Sequence, residues 1–283
     1  MSDLTIITPA HDKDMARDFL AGLDPSASRF TFQFFSDGVG GHAEIFHGTL
    51  DEVWPKVQSL NTPQRHVGVF VTINETDLKG RRTENIVRAR ALFVDADSKE
   101  QAARCVETFT ACGANPSMAV KSGSGVHFYF CTDVPCDQFS ALQTSLINKV
   151  GTDAAVKDLP RVMRLPGTLH LKNSAKPRLV KLLKPANCPV QHWQFSDLIA
   201  KLGLSPANSA PNQGQRNTAT LTPANGELTP DRELTPANRE RLKKFFGHLP
   251  VESRSEGLDT NIDEIRSAYR QFHPQQFPPS LIG

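Results

Sequence analysis

The chain has 283 residues, 39% of them hydrophobic, with 32 Lys and Arg against 30 Asp and Glu for a formal net charge of +2. That content supports one sizeable core with a smaller appendage and excludes a wholly disordered chain, while the near balance of charge means that only local clustering can point to an acidic partner. No run approaches the roughly 18 apolar residues of a membrane span, and MSDLTIITPAHDKD lacks a signal pattern, so a cytoplasmic protein with no membrane partner is expected.

In chain order, the apolar spacing predicts a helix near 12–22 and a strand over FTFQFF, joined through SDGVGG to HAEIFHG as a hairpin. Thr49 with Glu52 three places on reads as a capping box opening the helix TLDEVWPKVQSL, whose far end Pro55 is expected to disturb. HVGVFVTI and RARALFVDAD read as strands separated by a polar, basic loop, NETDLKGRRTENIV. A helix over about 98–111 follows, then strands SMAVK and GVHFYFC flanking SGSG, then an amphipathic helix, QFSALQTSLINKV. This mixed order favours an α+β sandwich over a doubly wound parallel sheet. Five cysteines, Cys105, Cys112, Cys131, Cys136 and Cys188, form no CxxC pair, which argues against a disulfide framework or a cysteine zinc site.

Three domains are expected. Residues 1–203 form the main α+β domain, and 204–234, with its LTPAN, LTPD and LTPAN echoes, reads as a Pro/Thr/Asn-rich tether. Residues 235–283 carry helical spacing at Leu242, Phe245 and Phe246, then at Ile262, Ile265 and Tyr269, and read as a small, incomplete helical segment.

Three features could carry chemistry. ALFVDADS ends an apolar strand in Asp95 and Asp97, which alternation places on one face; two carboxylates so close repel unless a cation lies between them, and Mg²⁺ takes such oxygens while leaving positions for substrate phosphates. Taken alone, the pair reads more readily as a solvated strand-end turn. KSGSGVHFYF offers Lys121, Ser122, Ser124 and His127 beside two glycines, a set that suits phosphate oxygens, although an ordinary hairpin turn would look the same. From Leu159 to Ser196 there is no acidic residue, yet Arg161, Arg164, Lys172, Lys176, Arg178, Lys181 and Lys184 all fall there. Arg161 and Arg164 suit bidentate contact with oxyanions, and Asp153 or Asp158, just upstream, offers a third carboxylate; the bland alternative is a solvated basic face.

In order and spacing, VDADS, SGSGVH and D(x₄)D(x₂)R(x₂)RLPGTLHLK resemble the archaeo-eukaryotic primase superfamily, in particular the RepB-type primase-polymerases of plasmids, phages and integrated elements, over roughly residues 29–185. The terminal segment resembles the start of a primase C-terminal (PriCT-like) helical domain. The resemblance implies an RNA-recognition-like sheet and a second αβ module around a cleft. It implies that Asp95, Asp97 and Asp153 (Asp158 as alternate) hold two Mg²⁺ or Mn²⁺ ions and that His127 contacts the phosphates of the incoming nucleotide. Arg161, Arg164 and Lys172 would surround the triphosphate or the template. Many relatives carry Ser two places before the histidine; here Gly125 stands there, leaving hydroxyl contacts to Ser122 or Ser124. The implied activity is template-directed nucleotidyl transfer on single-stranded DNA from NTPs or dNTPs, starting primers de novo and extending them, with a replicative helicase as a partner. A primer-extending repair polymerase of the same superfamily and a non-catalytic origin or single-strand-binding module are the alternatives.

Overall fold

The structure is a computed structural model that describes residues 9–37, 43–183 and 190–205. Cys188, Lys184, the expected tether from residue 206 onward and the expected helical segment 235–283 lie outside the described residues.

Helix α1 (Lys13–Leu23) opens at Asp12, whose carboxylate accepts from the Met15 N–H at 2.8 Å. Strands β1 (Phe30–Ser36) and β2 (Ala43–Gly48) pair antiparallel as the expected hairpin, Phe32 opposite Phe46. Helix α2 (Leu50–Leu60) begins with the predicted capping box: the Glu52 N–H donates to the Thr49 hydroxyl at 3.2 Å, and the Thr49 N–H to the Glu52 carboxylate at 2.7 Å. Pro55 does not end this helix. It lies on the exposed face, where water can serve the carbonyl that its missing N–H leaves free.

After β3 (Val67–Thr72) the expected polar loop is structured: β4 (Glu75–Thr76) and a 3₁₀ turn (Thr83–Asn85) lie within it. Strand β5 (Ile86–Ala96) then leads to α3 (Lys99–Ala111), which Ser98 caps, and β6 (Met118–Ser122) and β7 (Gly125–Val134) form a hairpin. Helix α4 (Cys136–Val150) is followed by short strands β8 (Val162–Arg164), β9 (Leu169–His170), β10 (Arg178–Leu179) and β11 (Lys181–Leu182), and by α5 (Phe195–Leu202).

One sheet has the order β2-β1-β3-β8, another β11-β6-β7-β5-β4, and β9 with β10 makes a ribbon; the strand pairs are antiparallel. The expected α+β class is therefore observed. In the first sheet Phe30, Phe32 and Phe34 alternate along β1 into the core with Val69 and Val71. The second sheet is covered on both faces: Phe19 of α1 meets Tyr129 edge-on at 5.3 Å, and Phe109 of α3 meets Phe128 and Phe130 at 5.7 and 4.9 Å on the other. That double burial explains why β7 reads as a nearly continuous apolar run.

Among the described residues no helix is long and apolar enough to cross a membrane, and the four described cysteines are free.

Candidate active site

The central strands of the second sheet deliver the acidic pair. Register places Asp95 of β5 directly opposite His127 of β7, and His127 opposite Val120 of β6, so their side chains share one face. Gly125 fixes how the hairpin closes on this point. A Cβ there would lie 2.6 Å from the Ala96 carbonyl oxygen and 3.3 Å from the Asp97 Cα. The serine that many relatives carry has no room on this backbone, because the turn is pressed against the acidic strand end. Ser122, half-buried, lies on the His127 face by alternation; Ser124 is exposed at the turn; Lys121 lies on the opposite face, paired across the strands with Lys181.

His127 is 5% exposed, with Nε2 3.5 Å from Asp95 Oδ1 and Nδ1 3.3 Å from the Tyr129 hydroxyl. Burial lowers its pKa below the ordinary histidine value, against the pull of Asp95. Burial also raises the Tyr129 hydroxyl well above the ordinary tyrosine range, so it remains a proton donor. Asp97 is exposed, yet its pKa is raised, by desolvation first and then by the charges of Asp95 and Asp153, with His127 and Lys172 opposing. Two further carboxylates, an imidazole and an ammonium thus act on Asp97 at the end of β5. Asp158, the alternate third carboxylate, pairs with Arg161.

Among the described residues no set of three or more His, Cys, Asp or Glu side chains converges closely enough to hold a metal ion as it stands. The donor chemistry nevertheless fits a hard divalent cation. Asp95, Asp97 and Asp153 supply only carboxylate oxygens, and their mutual repulsion, visible in the raised Asp97 pKa, is what such an ion relieves.

The basic segment divides. Arg164 makes a bidentate pair with Asp37, Nη1 to Oδ2 at 3.0 Å, and lies over the Phe70 ring at 4.7 Å. Its side chain is 13% exposed and that of Asp37 2%, so this guanidinium is committed inside the protein, tying β8 to the end of β1. Arg161 bonds the Ala155 carbonyl and the Asp158 carboxylate. Lys172 acts on Asp97. In PGT, Gly167 has a φ of +80°, and a Cβ there would lie 1.9 Å from the Asp12 carbonyl oxygen. That glycine docks the start of α1, its carbonyl accepting from the Asp12 N–H at 2.9 Å.

Two residues at the site carry no signal in sequence. Gln143 of α4 is fully buried and treats the free edge of β5 as a neighbouring strand would. Its Oε1 accepts from the Phe93 N–H at 3.2 Å, while Nε2 donates to the Phe93 carbonyl and, at 2.9 Å, to the Val156 carbonyl. One amide therefore joins the acidic strand to the segment that carries Asp153. His170 is the other. Its ring fills the space beside Gly123 in the SGSG turn, 3.2 Å from where a Cβ would stand. Burial, with Arg164 next, pushes its pKa down to about 4.

Residues 61–200 match the profile of the RepB DNA-primase N-terminal domain. Over these residues the chain is similar to the N-terminal domain of RepB-type DNA primases. Among solved structures it is similar to the AEP domain of the primase-polymerase of cyanophage S-2L, with 20% identity and a TM-score of 0.55 over 69% of this chain and 100% of that one. That likeness shows the primase-polymerase fold. The chain is also similar to primase RepB′, with 14% identity and a TM-score of 0.48 over 68% of this chain and 62% of that one. To the catalytic domain of RepB′ in complex with initiator DNA it has 16% identity and a TM-score of 0.46 over 68% of this chain and 93% of that one. No curated protein sequence matches the chain.

Proposed function

We propose that this domain starts and extends primers on single-stranded DNA, joining nucleotides by attack of a 3′ hydroxyl on the α-phosphorus of a nucleoside triphosphate with pyrophosphate as the leaving group. The observation that carries the reading is the coupling of Asp95, Asp97 and Asp153 beside His127 and Lys172 at one strand end, in a chain similar to the N-terminal domain of RepB-type DNA primases. Asp95, Asp97 and Asp153 are the residues to hold Mg²⁺ or Mn²⁺, which when bound would neutralise the triphosphate and favour the attacking hydroxylate.

The chain's own residues have separable tasks. Tyr129 holds His127 by donating to Nδ1, which leaves the Nε2 proton facing Asp95 and a phosphate oxygen placed beside it. Because burial keeps that imidazole neutral, it orients by a hydrogen bond and adds no fixed charge. Lys172 supplies charge on the Asp97 side, and the hydroxyls of Ser122 and Ser124 border the same turn. The Arg164–Asp37 pair acts from inside, fixing the start of PGT behind the site.

The test supplies unprimed single-stranded DNA, labelled nucleotides and Mg²⁺ or Mn²⁺ to the wild-type protein and to Asp97→Ala. Short products from wild type alone support the proposal. Extension of a supplied primer without any unprimed product would replace it with an extension-only polymerase, and DNA binding with no synthesis in either format would replace it with a binding module.

A further inference from the structure

The loop between β3 and β5 is built, and what it delivers is Arg81. Asp77 and Asn85 lock it: the Asp77 N–H donates to the Asn85 carbonyl at 2.8 Å, the Asn85 amide donates to the Asp77 carboxylate at 3.2 and 3.3 Å, and the Arg82 N–H donates to Asn85 Oδ1 at 3.0 Å. The Lys79 N–H closes an Asx turn onto Asp77 at 2.9 Å. Gly80 packs so closely that a Cβ would stand 2.5 Å from Asn85 Oδ1. From this frame Arg81 reaches 79 residues along the chain, and its Nη1 donates to the Pro160 carbonyl at 2.6 Å.

Arg161 follows Pro160 in the chain, and its charge acts on that of Arg81. Its Nη2 is tied to Ala155 and Asp158 in the segment that carries Asp153. Each guanidinium is therefore oriented by one terminal nitrogen on a backbone carbonyl. The other terminal nitrogen, Nη2 of Arg81 and Nη1 of Arg161, has no protein acceptor among the described residues and is not sealed from solvent. The Nε of both is buried without a partner. The two charges act on one another, since burial lowers the Arg81 pKa, Asp158 opposes this and Arg161 adds to it. Two like charges held together against one carboxylate, with donors left over, describe a place for an oxyanion.

We propose that Arg81 and Arg161 form a phosphate-binding fork on the Asp153 side of the acidic cluster, with the 77–85 loop as its rigid mount. It rests on the nucleotidyl-transfer reading and deepens it. The ligand is a phosphate oxyanion, either a backbone phosphodiester of the nucleic-acid strand or the triphosphate of a nucleotide. Preorganisation is what makes the fork effective, because neither side chain must be immobilised when the anion arrives.

The experiment compares Arg81→Ala and Arg81→Gln with Arg82→Ala, which removes the same charge from the next position, where the side chain is 85% exposed. Binding of single-stranded DNA is measured across a salt series, and binding of a nucleoside triphosphate separately, neither needing turnover. A strand phosphate predicts roughly three- to tenfold weaker DNA binding by the Arg81 variants, with a salt slope smaller by about 0.7 and nucleotide affinity unchanged. A triphosphate ligand predicts the same loss for the nucleotide with DNA binding unchanged. Either result supports the fork. If the Arg81 variants bind both ligands as Arg82→Ala does, the fork is overturned and Arg81 is only a strut to Pro160. Arg81→Gln keeps a donor for the Pro160 carbonyl, so the comparison survives if the alanine variant does not fold. A wild-type protein that binds either ligand through Arg81 yet incorporates no nucleotide would refute the polymerase reading alone.

Discussion

Replacing Gln143 with leucine tests how the acidic strand and the Asp153 segment are joined. Leucine keeps most of the volume but leaves three buried backbone groups, the N–H and C=O of Phe93 and the C=O of Val156, without the partner that one side-chain amide now supplies. Each buried group left unsatisfied costs about 1–3 kcal/mol, so the three together are expected to cost at least about 3 kcal/mol, a large share of the ~5–15 kcal/mol that holds a domain together. Gln143→Glu separates hydrogen bonding from packing. A carboxylate can accept from the Phe93 N–H but repels both carbonyls, so this variant is the less stable of the two at pH 7 and recovers part of the loss at pH 5, where the buried acid holds its proton. Urea unfolding followed by tryptophan fluorescence and circular dichroism measures both. A loss below about 1 kcal/mol for Gln143→Leu, or a Glu variant as stable as wild type at pH 7, would refute the reasoning.

Three further outcomes follow from the same geometry. Gly125→Ser should cost at least tenfold in nucleotide incorporation while the protein stays folded, because its Cβ would meet the Ala96 carbonyl at 2.6 Å and move the strand end; wild-type incorporation by that variant contradicts the close approach. Asp24→Asn should cost about 3–5 kcal/mol of stability, since Arg90, 4% exposed, would lose the carboxylate 2.9 Å from its Nε, while the specific activity of the folded fraction stays unchanged; a loss of activity without a loss of stability would be the wrong result. His170 has its folded value pushed from 6.5 to about 4, so below pH 6.5 the unfolded chain takes up a proton that the folded chain refuses, and stability falls as pH drops towards 4. At about 1.4 kcal/mol per pH unit this reaches at most about 3.5 kcal/mol, less after allowing for the ring's partial exposure, and His170→Asn should flatten the pH dependence of urea midpoints between pH 7 and 4.5. Parallel curves for the two proteins would remove His170 from this role.

Local chemistry was readable wherever a residue acts on its own segment. The capping box of Thr49 and Glu52, the hairpin through SGSG and the strand that carries Asp95 all follow from period and turn residues, although that strand ends at Ala96, one residue short of Asp97. Partners distant in sequence were not readable. Arg164 reads as an anion-binding residue, but its carboxylate stands 127 positions away at Asp37, just past the end of β1, and nothing in either segment signals the other. Gln143 reads as one more polar residue on an amphipathic helix, although it is fully buried because it replaces a missing strand. The 74–87 loop reads as solvated because its residues are polar, whereas Asp77, Asn85 and Arg81 spend that polarity on one another and on Pro160. Pro55 shows the converse: a helix breaker by composition is tolerated because it falls on the solvent face of a helix held by Val53, Trp54 and Val57.

The most direct measurement is product formation on unprimed single-stranded DNA by wild type, Asp95→Asn, Asp97→Asn and Asp153→Asn, each first shown to be folded and to bind DNA. Coupled carboxylates that hold the catalytic cations predict short products from wild type and at least a hundredfold loss in every variant, with DNA binding retained. Undiminished synthesis by any of the three variants would contradict the assignment of that carboxylate, and undiminished synthesis by all three would contradict the account of the site.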